Sequence, residues 1–273
     1  MVLPELPDII VLTRSMNTVL PGRTITDAKI NQPKVLNMTA KDFISLITGR
    51  MILQSRQRGK WILVDLDDSL VLAFNLGMGG HIMLHTSEET PNPQKERVVL
   101  QLDDKKQLWI HFWWFGHVHL IKSKDIHDHK QIGKLGIEPL SDEFTKDCLS
   151  AILSGRRGRI KSYLLNQHLI AGIGNVYVQD ILWRARLHPQ RKANTLSDVD
   201  ISLLHEAILI TLQEGIRYSG GPKERDIWGN EGHYPEHYRV AYRTGKACPR
   251  CQSTIEQIRV GSTTSYICPQ CQT

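Results

Sequence analysis

The last 26 residues hold four of the chain's five cysteines, as Cys248-Pro-Arg-Cys251 and, after sixteen intervening residues, Cys268-Pro-Gln-Cys271. No other feature limits the fold as tightly. Each C-x2-C pair makes a tight knuckle, and four thiolates supply the closed tetrahedral shell that structural Zn²⁺ prefers. The spacing belongs to the zinc pattern rather than to a disulfide framework. With all four positions filled by protein, no water site is left open. The expected ion, one per chain, is therefore structural, and it holds up a short hairpin within STIEQIRVGSTTSYI. The fifth cysteine, Cys148, lies on an apolar helical face and reads as core.

Upstream of this module the patterning changes twice. After Pro7 the segment DIIVLTRSMNTVL has helical spacing, with proline in the first turn where its missing N–H costs nothing. Pro21-Gly22 is expected to stop it. From Thr24 to about Ile121 short β-type runs follow one another (WILVDLDD, LVLAFNL, HIMLH, RVVLQLD, QLWIHFWWF) without long helices between them. That order predicts an antiparallel sandwich rather than a parallel sheet. Helical patterns return in DEFTKDCLSAILSG, RIKSYLLNQHL, NVYVQDILWRARLH and DVDISLLHEAILITLQEGIRYS. The expected organisation is a β-rich domain at 1–122, a linker at 123–140, a helical domain at 141–240 and a zinc finger at 241–273. The fold class is multidomain α+β.

At 273 residues and 23% charged content this is the composition of an ordinary soluble protein. No apolar run reaches membrane-spanning length and the first residues do not form a signal peptide, so the expected location is the cytoplasm, with no membrane partner. A net charge of +6 and a pI near 9.1 point to a polyanionic partner.

The stretch QHLIAGIGNVY carries the most chemistry. Gly172 and Gly174 permit a tight turn, and Asn175 stands where an N-cap belongs before the helix that follows. The free N–H groups of a helix amino terminus suit a phosphate, and Lys161, Arg184 and Arg186 flank the turn. Taken in order, PELPD, RGKW, LGMGG, LGIEPLS, QHLIAGIGNVY and the four-cysteine array resemble the formamidopyrimidine-DNA glycosylase/endonuclease VIII family over nearly the whole chain. The resemblance implies a helix and β-sandwich joined to a helix–two-turn–helix domain, with double-stranded DNA held between them by a monomer. It also implies removal of oxidised bases, followed by strand cleavage through β,δ-elimination.

The family's nucleophile is an amino-terminal proline beside a glutamate, and Pro4-Glu5 matches that pair. Here Pro4 follows Leu3, so unless Val2 and Leu3 are removed its nitrogen is in an amide, with its lone pair delocalised. Two readings stay open. In one, Glu5 acts as acid and base while another amine attacks, either Lys60 of RQRGKW or the amine of Val2. In the other, Pro4 and Pro7 only shape the helix entry, and the protein binds abasic, bent or distorted DNA without excising a base.

The resemblance places Lys60 and Asn175 at the lesion-flanking phosphates, Gly174 in the DNA-binding turn, Asn75 where the family has histidine, and Thr263 where its finger arginine falls, with Arg259 nearby. Met78 matches a wedge methionine. HFWWFG puts Phe115 in register and replaces two arginines with Trp113 and Trp114, so stacking replaces polar readout. Strand alternation predicts one tryptophan inward and one outward. A lesion-capping loop falls on GGPKERDIWGNEGHYPEH, with charge from Lys223 and Arg225. The histidines at 127, 129, 233 and 237 read as solvated surface. A zinc ribbon serving protein partners fits neither the glycine turn nor the basic balance.

Overall fold

The computed structural model of the chain describes residues 3–221 and 224–273. These form two compact units. The first runs through Lys134 and takes in Ser219–Gly232; the second comprises Leu135–Tyr218 and His233–Thr273.

The first unit begins with helix α1, Leu6–Asn17, whose apolar residues Leu6, Ile9, Leu12 and Met16 are buried. The helix ends before Pro21-Gly22 is reached. Asn17 is its last residue, and the Asn17 side chain donates to Ser55 O (2.7 Å) and accepts from Ser55 N–H (2.6 Å), tying the helix end to the strand that holds Ser55. Then come β1 (Ile25–Ile30), α2 (Ala40–Ile47), β2 (Ile52–Arg58), β3 (Trp61–Leu66), β4 (Leu70–Asn75), β5 (His81–Thr86), β6 (Glu96–Leu102), β7 (Lys106–His111) and β8 (His117–Lys122). They make two four-stranded sheets, ordered β1-β6-β7-β5 and β2-β3-β4-β8, with every pairing antiparallel. Alternate residues such as Ile62, Val64, Leu72, Phe74, Val98, Leu100, Leu108 and Ile110 face one shared core with α1.

The expected sandwich is therefore present, with additions. Strands β1 and β2 and helix α2, capped by the Thr39 hydroxyl on Asp42 N–H, lie in sequence that reads as connection. The segment Ser219–Gly232 returns to this unit: Ile227 enters the core, its N–H donating to Ser15 Oγ (3.1 Å) and its carbonyl accepting from Leu84 N–H (2.8 Å).

The second unit contains α3 (Lys146–Leu153), α4 (Ile160–Leu164), α5 (Tyr177–Arg184), α6 (Asp198–Arg217) and a hairpin of β9 (Glu256–Val260) and β10 (Thr263–Ile267). Asp180 on α5 is fully buried and accepts the backbone N–H groups of Arg239, Val240 and Ala241, which fastens the approach to the hairpin. Cys148 is half-buried rather than core, because its N–H lies at the capped end of α3 under Thr145.

Candidate active site

Glu5 caps α1 and is 2% exposed. Its N–H donates to one carboxylate oxygen of Asp8 (2.7 Å), and the other oxygen of Asp8 accepts the N–H of Gly221 (2.7 Å). Asp8 thus ties the helix start to the returning loop. That loop brings in Glu224, also buried, whose carboxyl is pushed up to about 9 by burial first and then by Asp8 and Glu5. Such a group keeps its proton at neutral pH.

Lys60 sits in the tight turn between β2 and β3, after Gly59 in a left-handed conformation (φ 57°). Burial lowers its amine from the ordinary lysine value, while the Glu5 and Asp8 carboxylates pull it back upward. Asn75 builds this corner: its amide donates to Lys60 O (3.4 Å) and accepts from Gly77 N–H (3.1 Å). Pro4 is buried behind Leu3. The chain thus gathers Glu5, Asp8, Glu224 and Lys60, of which the sequence singled out two. The i, i+3 spacing of Glu5 and Asp8 is a capping-box signal; nothing local marks Glu224. Met1, Val2 and Lys223 lie outside the described residues.

The aromatic loop departs from expectation. Strand β7 ends at His111, so alternation no longer applies beyond it, and both tryptophans face out: Trp113 is 42%, Trp114 59% and Phe115 79% exposed. Met78, half-buried, donates its N–H to Trp114 O (3.0 Å) and accepts from Trp113 N–H (3.1 Å). Among the histidines expected at the surface, His129 is instead drawn in beside Trp61 and His119, with its Nε2 2.8 Å from His119 Nδ1. His237 stacks on Tyr218, with ring centroids 3.4 Å apart.

In the second unit, Gly172 takes the turn conformation (φ 106°), whereas Gly174 contributes its carbonyl to Val178 N–H. The N-cap of α5 is Val176 rather than Asn175; the Asn175 amide oxygen accepts from Gln179 (3.2 Å) instead. Lys161 is 1% exposed, and its ammonium donates to Thr263 Oγ1 (3.0 Å), Thr264 O (2.7 Å) and Ser265 Oγ (2.7 Å). It tethers the hairpin from within and presents no charge to a phosphate. Thr263 receives that bond and donates to Val260 O. Arg259 projects from β9 and is exposed. Arg184 pairs with Glu214, while in the first unit Arg225 pairs with Glu231 (2.9 Å).

The four finger thiols converge, with Sγ atoms 3.9 Å apart for Cys248–Cys271 and 3.4 Å for Cys251–Cys268, all within 4.8 Å of one another. A Zn–S bond of about 2.3 Å sets tetrahedral sulfurs about 3.8 Å apart, so the cage fits one zinc. Trp183 packs beneath it, its indole N–H directed at Cys248 Sγ (3.4 Å).

Comparison with known proteins gives a consistent result. Residues 3–135 match a family model described as the formamidopyrimidine-DNA glycosylase N-terminal domain, 135–225 the formamidopyrimidine-DNA glycosylase H2TH domain, and 245–273 the zinc finger found in FPG and IleRS. The formamidopyrimidine-DNA glycosylase of Chloroflexus aurantiacus is 40% identical over 262 residues, covering 94% of this chain and 93% of that protein. That of Pelotomaculum thermopropionicum is 37% identical, covering 95% of each. The crystal structure of Lactococcus lactis Fpg with abasic-site DNA superposes with a TM-score of 0.92 at 29% identity, covering 98% of this chain and 99% of that one. Its complex with DNA containing N7-benzyl-Fapy-dG gives 0.92 at 30%, with the same coverage.

Proposed function

The chain belongs to the formamidopyrimidine-DNA glycosylase family, and from that premise we propose that it excises damaged bases from double-stranded DNA and cleaves the abasic site that results. The observation that carries this reading is the placement of the Lys60 amine against the buried Glu5 and Asp8 carboxylates. Of the candidate amines we assign the attack to Lys60, which is buried and feels the Glu5 and Asp8 carboxylates. Its lowered pKa enlarges the neutral, nucleophilic fraction at physiological pH.

In this mechanism the Lys60 lone pair bonds to the sugar C1′ as the glycosidic bond breaks. The departing base keeps the bonding electrons and takes a proton, for which protonated Glu224 is the source. Opening of the sugar ring, with a proton passed to O4′, leaves an iminium between C1′ and Nζ. Glu5 then takes the C2′ proton, and the electrons released expel the 3′ phosphate. Zinc takes no part in these steps; it shapes the finger.

No helix among the described residues is long and apolar enough to cross a membrane. A monomer in the bacterial cytoplasm suits the reading. Single-turnover incubation with duplexes containing a formamidopyrimidine or an abasic site tests it: base release and strand scission are expected. Tight binding with neither product would leave only the non-catalytic alternative, which none of the comparisons favours.

A further inference from the structure

Helix α6 leaves part of an apolar face uncovered. Ala207 is buried, but Leu203, four residues before it, and Ile210, three after it, share its face and are exposed. They edge a cavity of about 340 Å³, at the small end of the size range for ligand sites. The rest of that cavity is cationic. Arg184, Arg239 and Arg250 line it beside Trp183. Arg250, between Cys248 and Cys251 in the first knuckle, lies over the Trp183 ring (4.2 Å) and donates to Trp183 O (3.1 Å) and Arg184 O (3.4 Å). Both acceptors are neutral carbonyls, so they leave its charge uncompensated. A guanidinium has five N–H groups, and further donors stay available after these two bonds. The Glu214 carboxylate is shared between Arg184 and Arg239. Three guanidiniums thus stand against two carboxylates, Glu214 and the exposed Glu206 on the α6 side.

We propose that this cavity docks an acidic peptide segment of a partner protein, which sets an aliphatic or aromatic side chain against Leu203, Ala207 and Ile210 and carboxylates against Arg239 and Arg250. The surplus of positive charge selects an acidic occupant, and guanidiniums are the cations best shaped to hold carboxylates. They are already fixed by the Trp183 ring and by Glu214, so little ordering is left to do on binding. Tryptophan and arginine are also the residue types on which protein–protein binding energy concentrates. A DNA backbone suits the cavity less well. Phosphates gain nothing from Leu203 and Ile210, and Glu206 repels them. A second copy of this chain, with its net charge of +6, is disfavoured by the same cations. Every lining residue belongs to the second unit, whereas Glu5 and Lys60 belong to the first, so docking can be assayed apart from base excision.

The test is fluorescence anisotropy of the full-length protein with fluorescein-labelled pentapeptides. The first set is Asp-Leu-Asp-Asp-Phe with its Ile, Trp and Glu variants. A second set carries lysine in place of each acid, and a third carries serine in place of each apolar residue. Saturable binding of the first set alone is expected, and raised salt should weaken it. Ile210→Glu and Arg239→Gln should each weaken it by about tenfold or more, with the melting temperature and the affinity for abasic-site duplex unchanged. Failure of every peptide in the first set to saturate, equal binding of the lysine or serine sets, or full affinity in both variants would overturn the proposal. So would loss of duplex affinity in a folded Ile210→Glu protein, which would assign the cavity to DNA. Self-association that Ile210→Glu abolishes would also overturn it, by assigning the cavity to a second copy.

Discussion

Lys60 in the first unit and Lys161 in the second both carry their charge out of water, but their surroundings differ. Lys161 donates to three oxygens of the finger hairpin, which locks β10 in place. Lys60 faces carboxylates across a desolvated corner, where burial works against the charge and Glu5 and Asp8 favour it. Lys161 is tied down by the hairpin's oxygens, whereas the Lys60 amine is lowered by burial and raised by Glu5 and Asp8, the balance on which the proposed attack rests. The two buried lysines thus differ in the atoms around them, and the proposed function assigns the chemistry to the first unit.

The largest expected effect concerns the scaffold. Cys248→Ser opens the thiolate cage, and structural zinc contributes on the order of 10 kcal/mol to such modules. Metal analysis is expected to fall from one zinc per chain to none, with protease cutting concentrated after residue 240. Retained zinc and resistance to protease would remove the second unit from its assigned role.

Next in size is Lys60→Met, which should lower strand cleavage at an abasic site by about 10²- to 10⁴-fold while leaving the melting temperature within a few degrees. Lys161→Met sharpens the contrast from the other side. It strands oxygens that have lost their donor, at a cost of about 1–3 kcal/mol, and should lower the melting temperature by several degrees while leaving the single-turnover rate at saturating DNA intact. Should the two variants exchange phenotypes, the comparison is wrong.

The smallest effect is in pH dependence. Because burial and two carboxylates hold Glu224 at about 9, the folded protein keeps a proton that the unfolded chain gives up near 4.5. The stabilisation linked to that proton is complete below 4.5 and is lost as pH climbs through about 9. Urea midpoints measured across that range should fall for the wild type and fall less for Glu224→Gln. Parallel curves would show that Glu224 ionises freely.

The parts legible in the sequence are those fixed by local spacing. Cys248, Cys251, Cys268 and Cys271 announced their cage, and the alternation of β3 through β7 announced a sandwich. Glu5 and Lys60 lie in two short motifs, PELPD and RGKW, that the fold brings together. What escaped depends on distant neighbours. Helix α2 spans only eight residues and draws its stability from packing, so its pattern is short and weak. Lys161 reads as a surface cation until β10 lies across it, and Trp113 and Trp114 read as strand until β7 stops short of them. Glu224 acquires its character only because Ile227, three residues later, is held by Ser15 and Leu84 in the sandwich.

The central claim, that Lys60 is the attacking amine, is tested most directly by reducing the protein with borohydride on abasic-site DNA and locating the modified residue by peptide mass spectrometry. A single adduct on the peptide containing Lys60, absent in Lys60→Met, is the predicted result. An adduct at the nitrogen of Pro4, or one that survives in Lys60→Met, would contradict it.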